Sequence, residues 1–312
     1  MTMVKAKDLF LQLEKRGYKG RIVSIRRLPD LQKEIEGLYK QGLLDEGFYQ
    51  ERLAWFTFSP PDSLPEPRSI IVIAIPQPQI QVIFSWNEGA LALLVPPTYV
   101  AYREVNQRVE DLLAAFLRPE RYQVTQAALP LKPLAVRSGL GCYGRNNICY
   151  VHGMGSFHRL VAFYSDFPCQ EDEWREPEML ERCQNCQACL RSCPTGAIAP
   201  ERFLLHAERC ITFHNERSDD FPSWIDPSWH NCLIGCLHCQ RVCPQNRDFL
   251  NWVERGEEFS REETALILAR VPLDQFPSAT AEKLERLDLV EYMDVLPRNL
   301  RVMLTRMSQQ RG

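Results

Sequence analysis

The chain has 312 residues, 45% hydrophobic and 25% charged, and its 37 Lys and Arg against 40 Asp and Glu leave a formal net charge of -3. That length suits about two domains at ~100–200 residues each, and the near balance of charge argues against a broadly basic nucleic-acid-binding surface. No apolar run approaches the ~20 residues of a membrane helix, and no signal-peptide pattern stands at Met1–Lys15, so a cytoplasmic protein with reduced thiols is expected.

Taken in chain order, Leu9, Phe10 and Leu13, then Leu31, Ile35, Leu38 and Tyr39, recur at helical spacing and predict a helical N-terminal stretch. Ser69–Pro76 is a short continuous apolar run and reads as a buried central strand. Gln79–Phe84 and Ala90–Val95 predict a hairpin with Gly89 at the positive-φ position of its turn. A helix follows with Val105, Val109, Leu112, Leu113 and Phe116 on one face, stopped at Pro119, and then a strand over Tyr122–Ala128. Next is a glycine-rich loop, Gly139-Leu140-Gly141-Cys142-Tyr143-Gly144, followed by strands at Ile148–Val151 and Leu160–Tyr164 around the turn Gly153–Ser156. Closely spaced glycines let a backbone approach a ligand and offer it amides; a tight turn without a ligand is the alternative. The loop does not precede a clear helix, which makes a dinucleotide site a poor reading. Gln170–Pro177 is acidic and proline-bearing, a linker. Beyond Arg247 the pattern predicts amphipathic helix, with Ser260–Glu263 at capping-box spacing and Leu284, Leu287, Val290 and Met293 as an apolar stripe.

Between linker and tail the cysteines repeat one phrase. The first copy places Cys183, Cys186, Cys189 and Cys193 before Pro194; the second places Cys236, Cys239 and Cys243 before Pro244, preceded by Cys232 and Cys210. The run resembles that of bacterial two-cluster ferredoxins, in which three cysteines of a loop hold one [4Fe–4S] cube and the fourth crosses to the other. Transferred here, cluster 1 takes Cys183, Cys186, Cys189 and Cys243, and cluster 2 takes Cys193, Cys236, Cys239 and either Cys210 or Cys232. Paired Cys-x-x-Cys also binds zinc tetrahedrally, but each phrase supplies three thiolates on one loop, more than a zinc ribbon contributes. Of the twelve cysteines, Cys142, Cys149 and Cys169 read as small buried fillers.

The order of strand, hairpin, helix, glycine loop, Gly-Ser turn and double cluster resembles the epoxyqueuosine reductase family, cobalamin-dependent two-cluster enzymes acting on a modified base in transfer RNA. The resemblance rests on Pro133–Gly141, Gly144-Arg145-Asn146, Gly155-Ser156-Phe157, the eight cysteines and Arg209-Cys210-Ile211, and covers about Ile70 to Arg247. It implies Cys210 as the last ligand of cluster 2. It also implies a corrinoid cradled in the N-terminal domain, with Gly139, Gly141, Gly144, Arg145, Gly155 and Ser156 as the cofactor-binding residues. The family's Val-Asp-Ser-Ala-Pro segment, whose Asp is the proposed proton donor, is here Val124-Thr125-Gln126-Ala127-Ala128, and a threonine hydroxyl is far too weak an acid to replace a carboxylic acid. The chain is therefore expected to be a divergent member without the catalytic Asp and the C-terminal helical repeats. Tyr102, Tyr143, Tyr150 and His152 are the candidates for a replacement donor.

The expected fold class is α+β: an α/β domain over 1–170 for corrinoid or substrate, a ferredoxin-like double [4Fe–4S] domain over 171–250, and a helical cap over 251–312. The expected function is a redox protein passing electrons from an external flavodoxin- or ferredoxin-class donor to a corrinoid or similar cofactor. The alternative is an electron-transfer partner without chemistry of its own. The substrate would be a small molecule or a modified nucleoside. No membrane is involved, and no concentrated Lys/Arg run speaks for transfer RNA.

Overall fold

The computed structural model describes residues 6–99 and 101–311; Met1–Lys5, part of the stretch read for a signal peptide, lie outside them. The first elements are α1 (Ala6–Glu14), β1 (Lys19–Ser24), α2 (Leu28–Lys40), α3 (Glu46–Arg52), β2 (Ser69–Pro76), β3 (Gln79–Trp86) and β4 (Gly89–Val95). Then come α4 (Tyr102–Leu117), β5 (Val124–Gln126), α5 (Leu131–Arg137), β6 (Cys142–Tyr143), β7 (Cys149–Tyr150) and β8 (His158–Ser165). The cysteine region holds only short helices, α6 (Ala188–Ser192), α7 (Ile211–Asn215) and α8 (His238–Arg241). The chain continues with β9 (Val253–Phe259), α9 (Arg261–Leu268), α10 (Ser278–Arg286) and α11 (Leu296–Arg311).

These elements form two compact units rather than three consecutive segments. The first comprises residues 1–76, 104–187 and 201–204; the second comprises 77–103, 188–200 and 205–312. The first unit is built on an antiparallel sheet ordered β1-β2-β8-β5. Its central strand, β2, explains why Ser69–Pro76 shows no polar alternation. Ile70, Val72 and Ala74 face one core with Leu28 and Leu31 of α2 and Leu134 of α5. Ile71, Ile73 and Ile75 face the other with Leu9 and Leu13 of α1 and Val105, Val109 and Leu113 of α4. A strand covered on both faces has no polar side. Two elements were not expected. β1 is short and carries Gly20 as its second residue, and α5 begins after Pro130 and carries Pro133 in its first turn, where a missing N–H costs no helical hydrogen bond.

In the second unit β3 lies between β4, antiparallel, and β9, parallel. Val82, Phe84, Leu93 and Val95 of that sheet pack with Phe259, Ile267, Leu284, Leu296 and Leu300, and the Phe84 and Phe259 rings stack at 5.0 Å. Two expectations are corrected. The positive φ of the hairpin turn falls on Asn87 (φ 50), not Gly89, because the strands pair up to Trp86↔Gly89 and leave Asn87-Glu88 as the turn. The segment after Arg247 is not helix throughout. Val253–Phe259 is a strand despite its three glutamates and an arginine, because the edge of β3 supplies its partner. Ser260 does cap α9, its hydroxyl accepting from Glu263 N–H while the Glu263 carboxylate accepts from Ser260 N–H. Leu284 and Leu287 are buried, with Val290 and Met293 packed beside them. Among the described residues no helix is long and apolar enough to cross a membrane.

Candidate metal centre and cavity

The two cysteine phrases fold alike. In each, a short helix carries the last cysteine but one and ends just before Cys-Pro: Cys189 lies on α6 before Cys193-Pro194, and Cys239 on α8 before Cys243-Pro244. α6 and α8 pack together in the second unit, and the Ser192 hydroxyl donates to the His238 carbonyl at 3.3 Å. The proline after each phrase cannot donate a backbone N–H, which ends the local turn there.

Cys210 caps the start of α7. It makes no side-chain cap hydrogen bond, but the Thr212 and Phe213 N–H groups and the Thr212 hydroxyl lie near its sulfur and favour the thiolate, and Cys193 is within electrostatic reach. Cys236 accepts from the His238 N–H, with Cys210, Cys232 and Cys193 near enough to oppose its ionisation. Burial pushes both thiols up. Thiolates gathered this closely would repel one another and become stable only around positive charge. Cys193, Cys210 and Cys236 therefore fit cluster 2. Cys232 is fully buried, its thiol pushed up to about 12. Among the described residues no three His, Cys, Asp or Glu side chains converge as they would around one ion. A cubane, with each thiolate on its own iron, asks for no such convergence.

The glycine loop is filled by the protein itself. A Cβ on Gly141 would stand 2.7 Å from both Cys149 Sγ and the Tyr150 carbonyl oxygen, and one on Gly144 2.5 Å from Asn146 Oδ1 and Tyr150 Cε2. At Gly139 (φ 72) the space is taken by the Arg175 guanidinium, 3.0 Å away. The amides are used as well: Gly139 donates to Val136 O (3.0 Å), Gly141 to Ala135 O (3.2 Å) and Gly144 to Ile148 O (2.8 Å). Gly155 shapes a turn closed by the Val151 N–H on its own carbonyl, and Ser156 is buried beside it. The tight turn, rather than an amide cradle for a corrinoid, accounts for these glycines. Gly139, Gly141 and Gly144 of the set assigned to the corrinoid therefore offer no free amide to it.

Arg145 faces the cysteines. Its Nη2 donates to the Cys183 carbonyl at 2.7 Å and its Nε to the Cys186 carbonyl at 3.2 Å. Cys142 is half-buried, and burial beside Glu178 raises its thiol; Cys149 and Cys169 are pushed up to about 12 and about 11. All three suit neutral fillers.

The first unit also contains a cavity of about 980 Å³, missed in the sequence because its walls come from separate segments. Phe48, Trp55, Phe56, Tyr143 and Phe203 supply aromatic surface, with Leu38, Leu129, Pro130, Met179 and Leu204 between them. Trp55, Met179 and Phe203 are exposed, and the aromatic run Trp55–Phe58 is the signal that could have pointed here. Charged groups on the wall are held by neighbours: Glu34 by Arg137 (2.9 Å), Arg159 by Asn106 (3.0 Å) and Lys132 by the Asn147 carbonyl (3.2 Å). Of the four candidate proton donors, Tyr143 alone lines this cavity. Its ring meets Phe203 edge-on at 5.0 Å, and burial pushes its phenol above the usual range. Tyr150 is buried, its hydroxyl accepting from Asn146 at 3.0 Å; His152 is exposed; Tyr102 belongs to the second unit and donates to Glu291. Thr125 sits in β5 opposite Tyr164, while Gln126, Ala127 and Ala128 line the cavity.

Residues 182–246 match the family model of the 4Fe-4S double cluster binding domain. That match defines the class, a double-cluster iron–sulfur protein. Within the class the chain is similar to epoxyqueuosine reductases. It is 27% identical over 239 residues to that of Staphylococcus aureus (strain NCTC 8325 / PS 47), covering 70% of this chain and 58% of the relative. It is 36% identical over 125 residues to that of Escherichia coli (strain K12), covering 40% and 32%. The chain thus matches less than two thirds of either relative's length. The structure of epoxyqueuosine reductase from Streptococcus thermophilus superposes with a TM-score of 0.68 at 18% identity, over 98% of this chain and 82% of that one. An epoxyqueuosine reductase solved with an epoxyqueuosine-modified tRNA stem loop does so with 0.68 at 23%, over 96% and 80%. These likenesses establish the mixed α and β fold.

Proposed function

We propose that the protein is a reductase in which two [4Fe–4S] clusters deliver electrons, taken from an external flavodoxin- or ferredoxin-class donor, to a molecule held in the cavity of the first unit. The eight cysteines act as their spacing and the family resemblance together imply: Cys183, Cys186, Cys189 and Cys243 for one cluster, Cys193, Cys210, Cys236 and Cys239 for the other. The observation that carries the reading is the pairing of this ligand pattern with a large, mostly apolar cavity, the usual form of a small-molecule site. Tyr143 is the proton donor of the proposal, since its buried phenol stays protonated and faces that space. The resemblance implies a corrinoid as electron acceptor; because the glycine loop does not cradle one, no step is routed through it and its binding is left to the test. The relatives' name implies a modified nucleoside as substrate. The sequence alone speaks against transfer RNA, yet a related structure was solved with a tRNA stem loop, so such a stem loop belongs among the substrates tried.

A second reading is favoured by Thr125 standing where the family's Asp is found: a ferredoxin-like partner that hands electrons to another protein. The test mixes anaerobically purified protein with cobalamin and follows the spectrum and the corrinoid retained after gel filtration. Retention, with turnover lost in Tyr143→Phe, supports the reductase. Clusters that cycle normally in a protein retaining no corrinoid remove its corrinoid form and leave the electron-transfer partner.

A further inference from the structure

Arg145 stands in the tight turn after Gly144. Gly144 N–H donates to Ile148 O at 2.8 Å, Asn147 N–H to Gly144 O at 2.9 Å, and Asn147 takes the left-handed conformation (φ 58) that closes the turn. Asn146, fully buried, ties the turn to Tyr150 by its Nδ2. The same loop holds the approach to the first cysteines. Tyr143 N–H donates to Glu178 O, Leu180 N–H to Tyr143 O, and Cys183 N–H to Leu180 O, each at 2.8 Å. The glycine loop is thus a platform on which the segment from Glu178 to Cys186 is laid, and Arg145 is its outermost grip. A guanidinium bridging the carbonyls of two residues three apart fixes the loop between them.

The charge of Arg145 is the second observation. The group is half-buried, and among the described residues it forms no ion pair; its only partners are the two carbonyls. A half-buried cation held only by carbonyls gains from a negative charge placed nearby. On the double-cluster reading, the two residues whose carbonyls it holds would supply thiolates to a cube of four, which would be a net anion and gain a further negative charge on one-electron reduction.

We infer that Arg145 is the anchor and counter-cation of the cluster that Cys183 and Cys186 hold, raising that cluster's reduction potential above the value it would have without the charge. It is a positioning residue, and the inference rests on the double-cluster reading. The potential should respond because charge and hydrogen bonding near the sulfurs set it. The cation favours the more negative, reduced form, so its removal shifts the midpoint downward.

The test is an EPR-monitored anaerobic redox titration of the full chain, with iron counted first. The parent should carry two clusters; a parent without them overturns the double-cluster reading and this inference together. In Arg145→Gln one midpoint should fall by at least the ~59 mV of a tenfold change in a one-electron equilibrium, while the other stays in place. Arg145→Lys, which keeps the charge and loses the fork, should hold the parent midpoint. Two clusters with unchanged midpoints in Arg145→Gln would overturn the inference while leaving the double-cluster reading intact. If Arg145→Gln fails to load one cluster, Arg145→Lys decides: a loaded cluster at the parent midpoint supports the role, and a missing cluster or a lowered midpoint contradicts it.

Discussion

Cys210 and Cys232 precede the second cysteine phrase at distances that spacing alone does not rank. Their surroundings do. Cys210 stands at the N-cap of α7 with the Thr212 and Phe213 N–H groups, the Thr212 hydroxyl and Cys193 near its sulfur, whereas Cys232 is fully buried with one N–H, that of Leu237, near its sulfur and Arg241 within electrostatic reach. A free buried cysteine packs as a small hydrophobe, while a cluster ligand gathers N–H donors around its sulfur. Cys210→Ser should therefore lose one of the two clusters, taking about half of the ~8 irons that two four-iron cubes contain. Cys232→Ser should keep both. Anaerobic iron and sulfide analysis of the two variants decides, and the reverse pattern would transfer the ligand role to Cys232.

At the level of elements, the glycine loop shows how a ligand-like motif serves packing. Gly141→Ala forces a methyl against a backbone oxygen and a sulfur at 2.7 Å, and overpacking of that kind costs ~1–3 kcal/mol. Gly37→Ala, in the interior of α2 with no heavy atom nearer than 3.9 Å, should gain ~0.5–1 kcal/mol through helix propensity. Urea unfolding of the anaerobic holoprotein should move the two midpoints in opposite directions. A Gly141→Ala variant as stable as the parent would return the loop to a ligand-binding reading. β2 could be read directly because burial on both faces leaves a continuous apolar run, and the capping box of α9 because its chemistry is local. β9 could not, since a charged heptapeptide becomes a strand only when β3 offers an edge. α5 was hidden by prolines whose place in the first turn makes them harmless.

For the whole molecule, the same division between local and long-range signals separates the metal centre from the cavity. The double-cluster domain was legible because its cysteine phrase is a property of a dozen consecutive residues. The cavity was not, because Trp55, Tyr143 and Phe203 meet only after the chain folds into the first unit. The units are themselves discontinuous, since residues 77–103 leave the first and pair with β9 near the C-terminus.

Every functional statement depends on the metal content of the full chain. Protein purified without oxygen and assayed for iron, acid-labile sulfide and zinc should be brown and contain about eight iron and eight sulfide per chain, with zinc absent. A colourless preparation carrying stoichiometric zinc and no sulfide would contradict the account.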